Sequence, residues 1–439
     1  MKIRLLTVVC IALFCFLGWS TLKDKQVKEN TAYNNAVEKA REKAKIGVNE
    51  KAYESYCEAL KIRDSLELRS EIIEFLFDIN SFGTLEKEVK ELQSKYPKEA
   101  LAYEYACRYA EYSEDIGELY SLAREMRARK ISSEYVETLC EKHKHDFYFS
   151  STYFNQMDPF VYGYARAYSK EGRVGFVDSK GNIVVNALYS TGAPYGGINY
   201  FVVITNDGDT QFLDMGGVKA QVDPQKRGMI FEDVQGFAEG QMAVCENGEY
   251  RYINSDYNDV GDGEKYMYAG MYNCGRAAVK DISGWYLIDK DHKKVSPVYE
   301  DIKLTENGVS VIGDMCICKK NDKWYIADKD GNIKNQKGYD DACVSLDNTG
   351  NGPIAVKIVD KWGYVSSDGT EVIKPIYDNA RSFCRNYAAV EIDGLWTIIN
   401  QTGENIMEPQ FKGAYEMTND GTIPVQTKKG WQMLSFYSK

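Results

Sequence analysis

The chain has few of the residues that most catalytic sites require. It contains 3 histidines in 439 residues, and no Ser or Cys lies in a recognisable nucleophile motif. Basic residues are also scarce relative to acidic ones, with 54 Lys and Arg against 65 Asp and Glu. A nucleic-acid binder needs a concentrated basic surface. We therefore expect no enzymatic activity, no cofactor and no nucleic-acid partner.

The cysteines follow neither a disulfide code nor a zinc code. Of the 11 cysteines, 2 lie in a leading apolar run, and the other 9 are irregularly spaced, which favours small buried side chains. Cys316 and Cys318 share one strand face, but no second ligand pair follows at zinc spacing. The acidic turn at residues 328–332 lacks the distant Glu of a calcium loop. The sequence predicts no metal site.

The first residues have the pattern of an export signal. Lys2 and Arg4 precede an apolar stretch over residues 5–22, which Lys23 closes. As a helix this stretch would span about 27 Å, close to the hydrocarbon thickness of about 30 Å. Because the basic residues come first, the chain after the stretch is expected outside the cytoplasm.

Two fates of residues 1–23 stay open. The length of the apolar stretch favours an uncleaved anchor, so that the protein crosses the cell membrane once. Gly18 and Ser20 place small residues where a signal peptidase inspects the chain. In that case the leader is cleaved and the protein is secreted.

Residues 24–150 have the period of amphipathic helices. Tyr53, Tyr56 and Leu60 lie on one helical stripe, and short breaks between such stripes predict antiparallel hairpins packed side by side. His143 and His145 lie two residues apart, so they diverge on a helix and are interpreted as a solvated helix end.

One stretch of this segment resembles a tetratricopeptide hairpin. Pro97, Ala102, Tyr105, Leu119 and Ala123 carry the resemblance, which is an alternation of small and large residues at helix contacts. The Trp-Leu-Gly signature of that family is missing. The resemblance implies a groove for a peptide or protein partner, and a packed helical spacer is the open alternative.

From residue 158 onward the hydrophobic period changes to two, and one short sequence motif recurs. Its Trp position falls at residues 174, 210, 250, 285, 324, 362, 396 and 431. The mean step of about 37 residues indicates eight internal repeats. Each repeat reads as a strand, a polar turn, the Trp strand, a Gly-containing turn and a third strand that ends in Pro-x-Tyr or Pro-x-Phe.

This pattern of strands and turns resembles that of the WG-repeat family of bacterial proteins, which is named for its Trp-Gly pair. The resemblance covers residues 158–439, although only Trp362-Gly363 preserves the full pair. It implies a β-repeat scaffold, often on exported proteins, with no common enzymatic activity. Because the Trp strands are apolar on both faces, we expect sheets that are sandwiched between neighbours, as in a propeller-like ring or a compact β-solenoid. Eight repeats suit a ring, and closure hides the sheet edges, so the ring is favoured and the β-solenoid stays the alternative.

The regular spacing and the apolar neighbours of the Trp position predict a structural core. Its residues are Trp285, Trp324, Trp362, Gly363, Trp396 and Trp431. Three tyrosines late in their repeats are instead candidate surface aromatics that could stack on sugar rings: Tyr299, Tyr339 and Tyr377.

The sequence thus predicts an α+β multidomain protein. An N-terminal membrane helix or leader (1–23) precedes a helical hairpin segment (24–150) and an all-β repeat array (158–439). The expected function is a non-catalytic scaffold that binds a protein partner at the outer face of the cell envelope. A module that binds cell-wall carbohydrate is the alternative.

Overall fold

The structure is a computed structural model that describes residues 25–195, 200–220, 231–254, 256, 258–305, 308–344 and 352–437. The predicted leader at residues 1–23 lies outside this set. None of the helices in the described ranges is long and apolar enough to cross a membrane. The chain divides into two compact units. The helical unit runs to Asp146 and includes Tyr437, and the sheet unit is Phe147–Phe436.

The helical unit has seven helices in the described residues. They are α1 (25–45), α2 (Asn49–Ile62), α3 (Leu66–Asp78), α4 (Phe82–Lys95), α5 (Ala100–Tyr112), α6 (Ile116–Ala128) and α7 (Glu134–Lys142). Side-chain caps define several of the starts. Ser65 accepts a hydrogen bond from the backbone N of Leu68, and Asp115 accepts one from that of Glu118.

These helices repeat with a fixed period. Helices α3, α5 and α7 begin at Leu66, Ala100 and Glu134, so the two steps between their first residues are equal. Asn80 and Glu114, which follow α3 and α5, are separated by the same step and take positive φ angles of 52° and 59°. A step of this length, about 34 residues, is typical of tetratricopeptide hairpins.

The sheet unit begins with four antiparallel sheets. Sheet 1 contains β2 (Gln156–Met157), β3 (Tyr164–Tyr168), β4 (Val174–Asp178) and β5 (Ile183–Tyr189). Sheet 2 contains β6 (Thr191–Gly192), β7 (Phe201–Ile204) and β8 (Thr210–Leu213). Sheet 3 contains β9 (Asp233–Val234), β10 (Met242–Glu246) and β11 (Glu249–Ile253). Sheet 4 contains β12 (Tyr268–Ala269), β13 (Ala277–Asp281) and β14 (Gly284–Ile288).

Four more sheets follow in chain order. Sheet 5 contains β15 (Asp301–Ile302), β16 (Met315–Lys320) and β17 (Lys323–Asp328). Sheet 6 contains β18 (Asp341–Ala342), β19 (Ile354–Ile358), β20 (Lys361–Val365) and β21 (Glu371–Tyr377). Sheet 7 contains β22 (Asn379–Ala380), β23 (Tyr387–Ile392) and β24 (Leu395–Asn400). Sheet 8 contains β25 (Gly413–Ala414), β26 (Thr422–Gln426), β27 (Trp431–Phe436) and β1 (Phe147–Phe149).

Each sheet has one strand that the predicted strand-and-turn pattern of the repeat does not include. A two-residue strand, such as β15 or β18, precedes the two long strands of every repeat, and the sequence did not predict it. Within the described residues, the predicted third strand is a regular strand in β5 and β21 alone. In repeats 3, 4, 5 and 7 it reaches the Trp strand through two isolated bridges, as between Trp324 and Tyr339 and between Ala327 and Ile333.

The eighth sheet joins the two ends of the sheet unit. Strand β1 pairs antiparallel with β27, with Phe147 opposite Phe436 and Phe149 opposite Leu434. Residues 147–149 therefore form a strand, although the sequence placed them at the end of the helical segment. Their partner strand lies almost at the other end of the chain, so no local pattern could reveal the pairing.

Apolar side chains are buried between neighbouring sheets. One cluster combines Trp362 and Tyr377 of sheet 6 with Phe383 of the seventh repeat. Another combines Trp431 of sheet 8 with Val177 of sheet 1. Each sheet is therefore covered on both faces, which explains why the Trp strands are apolar on both faces. Helices followed by small antiparallel sheets confirm the predicted α+β class.

Candidate functional site

The tryptophans lie where neighbouring sheets meet. Four are 6–9% exposed, namely Trp324, Trp362, Trp396 and Trp431. Trp285 is half-buried and borders a cluster that contains Leu287 and Ile302. All of these indoles pack against apolar clusters of the sheet unit.

Gly363 has no room for a side chain. A Cβ atom there would lie 2.6 Å from the carbonyl oxygen of Ile373 and 2.7 Å from the nitrogen of Pro375. Gly175 is equally confined, since its Cβ would lie 2.3 Å from the carbonyl oxygen of Val185. Both glycines follow the Trp position, and both face a bulged seven-residue strand, β21 or β5. The glycine thus lets a third strand approach closely.

The sheet unit contains a cavity of about 390 Å³, here called the inner cavity. It is lined by residues of the first repeat and of the fourth to eighth repeats, among them Val161, Asn273, Lys303, Val344, Arg381 and Glu416. Most of these follow a two-residue strand closely. These short strands and the loops after them therefore form the walls of the cavity.

Two cations of the inner cavity are held by aromatic rings and oxygen atoms. The Lys303 Nζ lies 2.7 Å from an Asp341 carboxylate oxygen and 4.5 Å from the centre of the Trp324 ring. The Arg381 Nε donates to the carbonyl oxygen of Ala414 at 3.1 Å. Its guanidinium also lies 5.1 Å from the centre of the Trp396 ring. Such cation–π contacts fix the position of a positive charge.

A second cavity of about 550 Å³, here called the helical groove, lies on α3, α5 and α7. Its lining residues are Phe77, Asp78, Arg108, Glu111, Tyr112, Tyr135, Lys142 and His143. These three helices are the ones that begin at equal steps along the chain. The groove therefore follows from the helical period, because equivalent helices present equivalent faces to it.

Ion pairs between helices hold the walls of the helical groove. The Arg108 Nη1 lies 2.8 Å from a carboxylate oxygen of Glu74 on α3. On α5, Glu111 contacts the Lys142 Nζ at 2.6 Å and the His143 Nε2 at 3.1 Å. Burial raises the pKa of Glu111, but the hydrogen bonds from Lys142 and His143 lower it more, so the net pKa is below its ordinary value.

His143 contradicts the sequence-based interpretation of a solvated helix end. Its side chain is 15% exposed, and its ring bridges Glu111 and Asp146, with the Nδ1 atom 2.6 Å from the Asp146 carboxylate. The sequence showed only that His143 and His145 diverge. It could not show that α5 supplies a carboxylate to one of them.

Aromatic rings complete the helical groove. Tyr112 and Tyr135 are 36% and 40% exposed. Phe82 stacks on Tyr112 with ring centres 4.9 Å apart, and the Arg108 guanidinium lies 4.1 Å from the centre of the Phe77 ring. The groove thus offers apolar ring faces beside charges that are already paired. A peptide with apolar side chains suits such a surface.

Comparison with known families identifies the repeats. Residues 362–396 and 396–431 match the family described as WG containing repeat. This part of the chain consists of WG repeats. The match confirms the resemblance to that family, and it falls on two of the best-preserved copies, those that begin at Trp362 and Trp396. No curated protein matches the chain in sequence.

Several solved structures resemble the chain at low identity. BamB from Moraxella catarrhalis is 13% identical, with a TM-score of 0.43 over 66% of this chain and 99% of that one. The computationally designed Ika8 protein is 10% identical, with a TM-score of 0.42 over 65% and 96%. Hsv2 from Kluyveromyces lactis is 10% identical, with a TM-score of 0.36 over 58% and 93%. These values support no conclusion about function.

The three tyrosines predicted at the surface of the repeats are buried. Tyr299, Tyr339 and Tyr377 are 6%, 1% and 2% exposed. Tyr377 donates a hydrogen bond to the carbonyl oxygen of Gly403 at 3.2 Å, and Tyr299 donates one to that of Gly331. Both glycines lie in the turn of the following repeat. The surface prediction is wrong, because each ring fills the space between two sheets.

The acidic turn at residues 328–332 is stabilised by its own side chains. An Asp328 carboxylate oxygen accepts hydrogen bonds from the backbone nitrogens of Asp330 and Asn332, at 2.9 and 2.8 Å. This geometry confirms the interpretation as turn chemistry.

Burial raises the pKa of the Cys318 thiol, which lies on β16, to about 11. Across the described ranges, no group of three or more His, Cys, Asp or Glu could hold a metal ion.

Sequence reasoning did not identify Arg108, Glu111, Lys303, Arg381 or Glu416. Arg108 and Glu111 had one usable signal, since the equal spacing of α3, α5 and α7 places equivalent faces of these helices side by side. The three charges of the inner cavity had a weaker signal, because each follows the first, two-residue strand of its repeat. That strand is too short to recognise from a period of two.

Proposed function

We propose that this chain is a non-catalytic scaffold for protein–protein interaction, with the helical groove as the surface that binds a partner. The observation that carries the proposal is the exposure of Tyr112 and Tyr135 in one groove across three successive equivalent helices. Tyrosines that are partly exposed in a concave surface supply contact area at a low cost in conformational entropy.

The chemistry of the groove favours an amphipathic peptide segment of a partner protein. Apolar side chains of the peptide would pack on the faces of Tyr112 and Tyr135. The charges of Arg108 and Lys142 are already offset by Glu74 and Glu111, so attraction between net charges would contribute little. We therefore expect an affinity that depends weakly on salt concentration.

We also propose that the scaffold acts outside the cytoplasm. The support is the apolar stretch at residues 5–22 with Lys2 and Arg4 before it. The stretch acts either as a membrane anchor or as a cleaved leader. In both cases the helical groove and the WG repeats would be exported.

We infer further that the eight sheets close into a propeller-like ring rather than an open solenoid. Three observations support closure. Strand β1 pairs with β27, Trp431 shares a cluster with Val177, and the Thr422 hydroxyl donates to the carbonyl oxygen of Ser179 at 2.8 Å. The strand pairing connects the last repeat with the segment just before the first repeat, and the other two contacts connect the last repeat with the first. Closure leaves no sheet face without a neighbour.

Site-specific photocrosslinking tests the binding surface. A photoreactive residue at position 135, in the groove, is compared with one at position 46, where Ile46 is 73% exposed outside the groove. We expect one discrete protein adduct from position 135 in intact cells and none from position 46. The substitution Tyr112→Ser should remove the adduct. Identical adducts from both positions would refute the groove as the binding surface.

A reporter fusion tests the location. A reporter enzyme that is active only outside the cytoplasm is fused after Lys439 and expressed in a bacterial host. We expect activity with the whole chain and none when residues 1–23 are deleted. A full-length fusion that accumulates in the cell without reporter activity would contradict export. Wall carbohydrate, the alternative ligand, receives no support from Tyr299, Tyr339 and Tyr377, since these rings are buried.

A further inference from the structure

The inner cavity contains one cation and one anion that no other charge neutralises. Lys303 is paired with Asp341. By contrast, Arg381 and Glu416 both line the cavity, and neither makes an ion pair with any residue in the described ranges. Charges that are partly buried are costly unless they are paired. Two opposite charges that face one cavity without touching each other indicate a ligand that carries both complementary charges.

Arg381 is fixed in place before any ligand arrives. Its Nε donates to the carbonyl oxygen of Ala414, and its guanidinium lies 5.1 and 5.5 Å from the ring centres of Trp396 and Tyr415. The Nε atom is therefore occupied, whereas the two terminal nitrogens make no hydrogen bond within the described ranges. These two nitrogens together match the two oxygens of a carboxylate.

Glu416 lines the same cavity as Arg381. Burial raises the pKa of the nearby Cys343 thiol to about 12, the charge of Glu416 adds to that rise, and the charge of Arg381 opposes it. Cys343, Arg381 and Glu416 all line this cavity. A carboxylate in this position offers acceptors for an ammonium group.

The rest of the cavity wall includes an apolar surface. Val309, Ile312 and Met417 line it and are themselves well buried. The volume of about 390 Å³ lies within the range of small-molecule sites, about 300–1,000 Å³. The cavity thus combines an anion site, a cation site and an apolar wall.

We propose that the inner cavity binds a free α-amino acid with an apolar side chain. Its carboxylate accepts hydrogen bonds from the terminal nitrogens of Arg381, its ammonium donates to Glu416, and its side chain contacts Val309, Ile312 and Met417. This site is distinct from the helical groove and does not depend on the function proposed for that groove.

Calorimetric titration of the full-length chain in detergent tests the proposal. The probes are L-leucine, N-acetyl-L-leucine, which lacks the ammonium, and L-leucinamide, which lacks the carboxylate. We expect L-leucine to bind and each derivative to bind at least about tenfold more weakly, because each loses a charge-assisted contact. No binding of L-leucine at millimolar concentration, or equal affinity for all three probes, would overturn the proposal.

Variants assign the two ends of the ligand. Glu416→Gln should weaken the binding of L-leucine about tenfold or more and leave the binding of N-acetyl-L-leucine unchanged. Arg381→Gln should weaken the binding of both probes. The matched control is Glu408→Gln, which changes an exposed carboxylate outside the cavity and should have no effect. If Arg381→Gln fails to fold, Arg381→Lys replaces it. An equal effect of Glu416→Gln on both probes would refute the assigned orientation.

Discussion

Phe154 and Trp431 exchange two backbone hydrogen bonds. The Phe154 nitrogen donates to the Trp431 oxygen at 2.9 Å, and the Trp431 nitrogen donates to the Phe154 oxygen at 2.7 Å. In the fifth repeat the same pair of bonds joins Trp324 to Tyr339, so both partners come from one repeat. The eighth repeat has no such partner of its own within the described ranges. The chain segment before the first repeat supplies it.

Removing the indole of Trp431 should destabilise the sheet unit strongly. Trp431 is 9% exposed in the cluster that joins the last sheet to the first. Trp431→Ala should cost about 3–5 kcal/mol of unfolding free energy. The matched variant Trp285→Ala should cost clearly less, because Trp285 is only half-buried. Urea denaturation followed by circular dichroism measures both. Equal losses would show that burial between sheets does not set the contribution of these tryptophans.

A single methyl group at Gly363 should be unfavourable. The added Cβ would lie 2.6 Å from the carbonyl oxygen of Ile373, so β20 or β21 must shift. We expect Gly363→Ala to cost about 1–3 kcal/mol. Gly83→Ala is the control, since Gly83 lies in α4 with no atom within 4 Å of the added group, and it should be neutral or stabilising. Thermal unfolding distinguishes them, and unchanged stability of Gly363→Ala would refute the close approach.

The tyrosine hydroxyls between neighbouring repeats should differ in their contributions to stability. Tyr377 donates to the carbonyl oxygen of Gly403 at 3.2 Å, whereas the buried Tyr339 hydroxyl has no partner within the described ranges. Tyr377→Phe should therefore cost about 0.5–1.5 kcal/mol, and Tyr339→Phe should be neutral or stabilising. Chemical denaturation of the two single variants provides the comparison. The reverse order would contradict the hydrogen-bond assignment.

His292 should make the sheet unit sensitive to acid. It takes a φ of 63° in a turn where other repeats have glycine, and its Nε2 lies 2.7 Å from the Gln241 side-chain oxygen. Burial lowers its pKa below the ordinary 6.5. Four nearby carboxylates oppose that shift: Asp262, Glu264, Asp289 and Asp291.

The direction of the pH effect follows from this lowered pKa. The unfolded chain takes up a proton at His292 at a higher pH than the folded chain does, so stability falls as pH drops through 6.5 towards the folded pKa. His292→Asn tolerates the positive φ and removes the titrating ring. We expect the melting temperature of the native chain to fall more than that of His292→Asn between pH 7.5 and 5. Parallel pH profiles would exclude His292 as the cause.

The sequence was sufficient wherever local period determined the structure. All eight Trp positions lie in a long strand of their own sheet, from Val174 in β4 to Trp431 in β27. The sequence pattern did not predict contacts between segments that are distant along the chain. Tyr377 was predicted at the surface because it lies late in its repeat, yet its hydroxyl reaches a turn 26 residues later. The pairing of β1 with β27 has no signal in either segment, since it depends on how seven preceding sheets accumulate.

The mixed origin of the eighth sheet imposes an order on synthesis. Strand β1 precedes all eight repeats, whereas its partner β27 belongs to the last of them. A nascent chain therefore exposes β1 before its partner strand has been made, and β1 must wait unpaired while the intervening repeats are synthesised. Contacts between such distant segments form slowly, so we expect this sheet to be among the last to be completed.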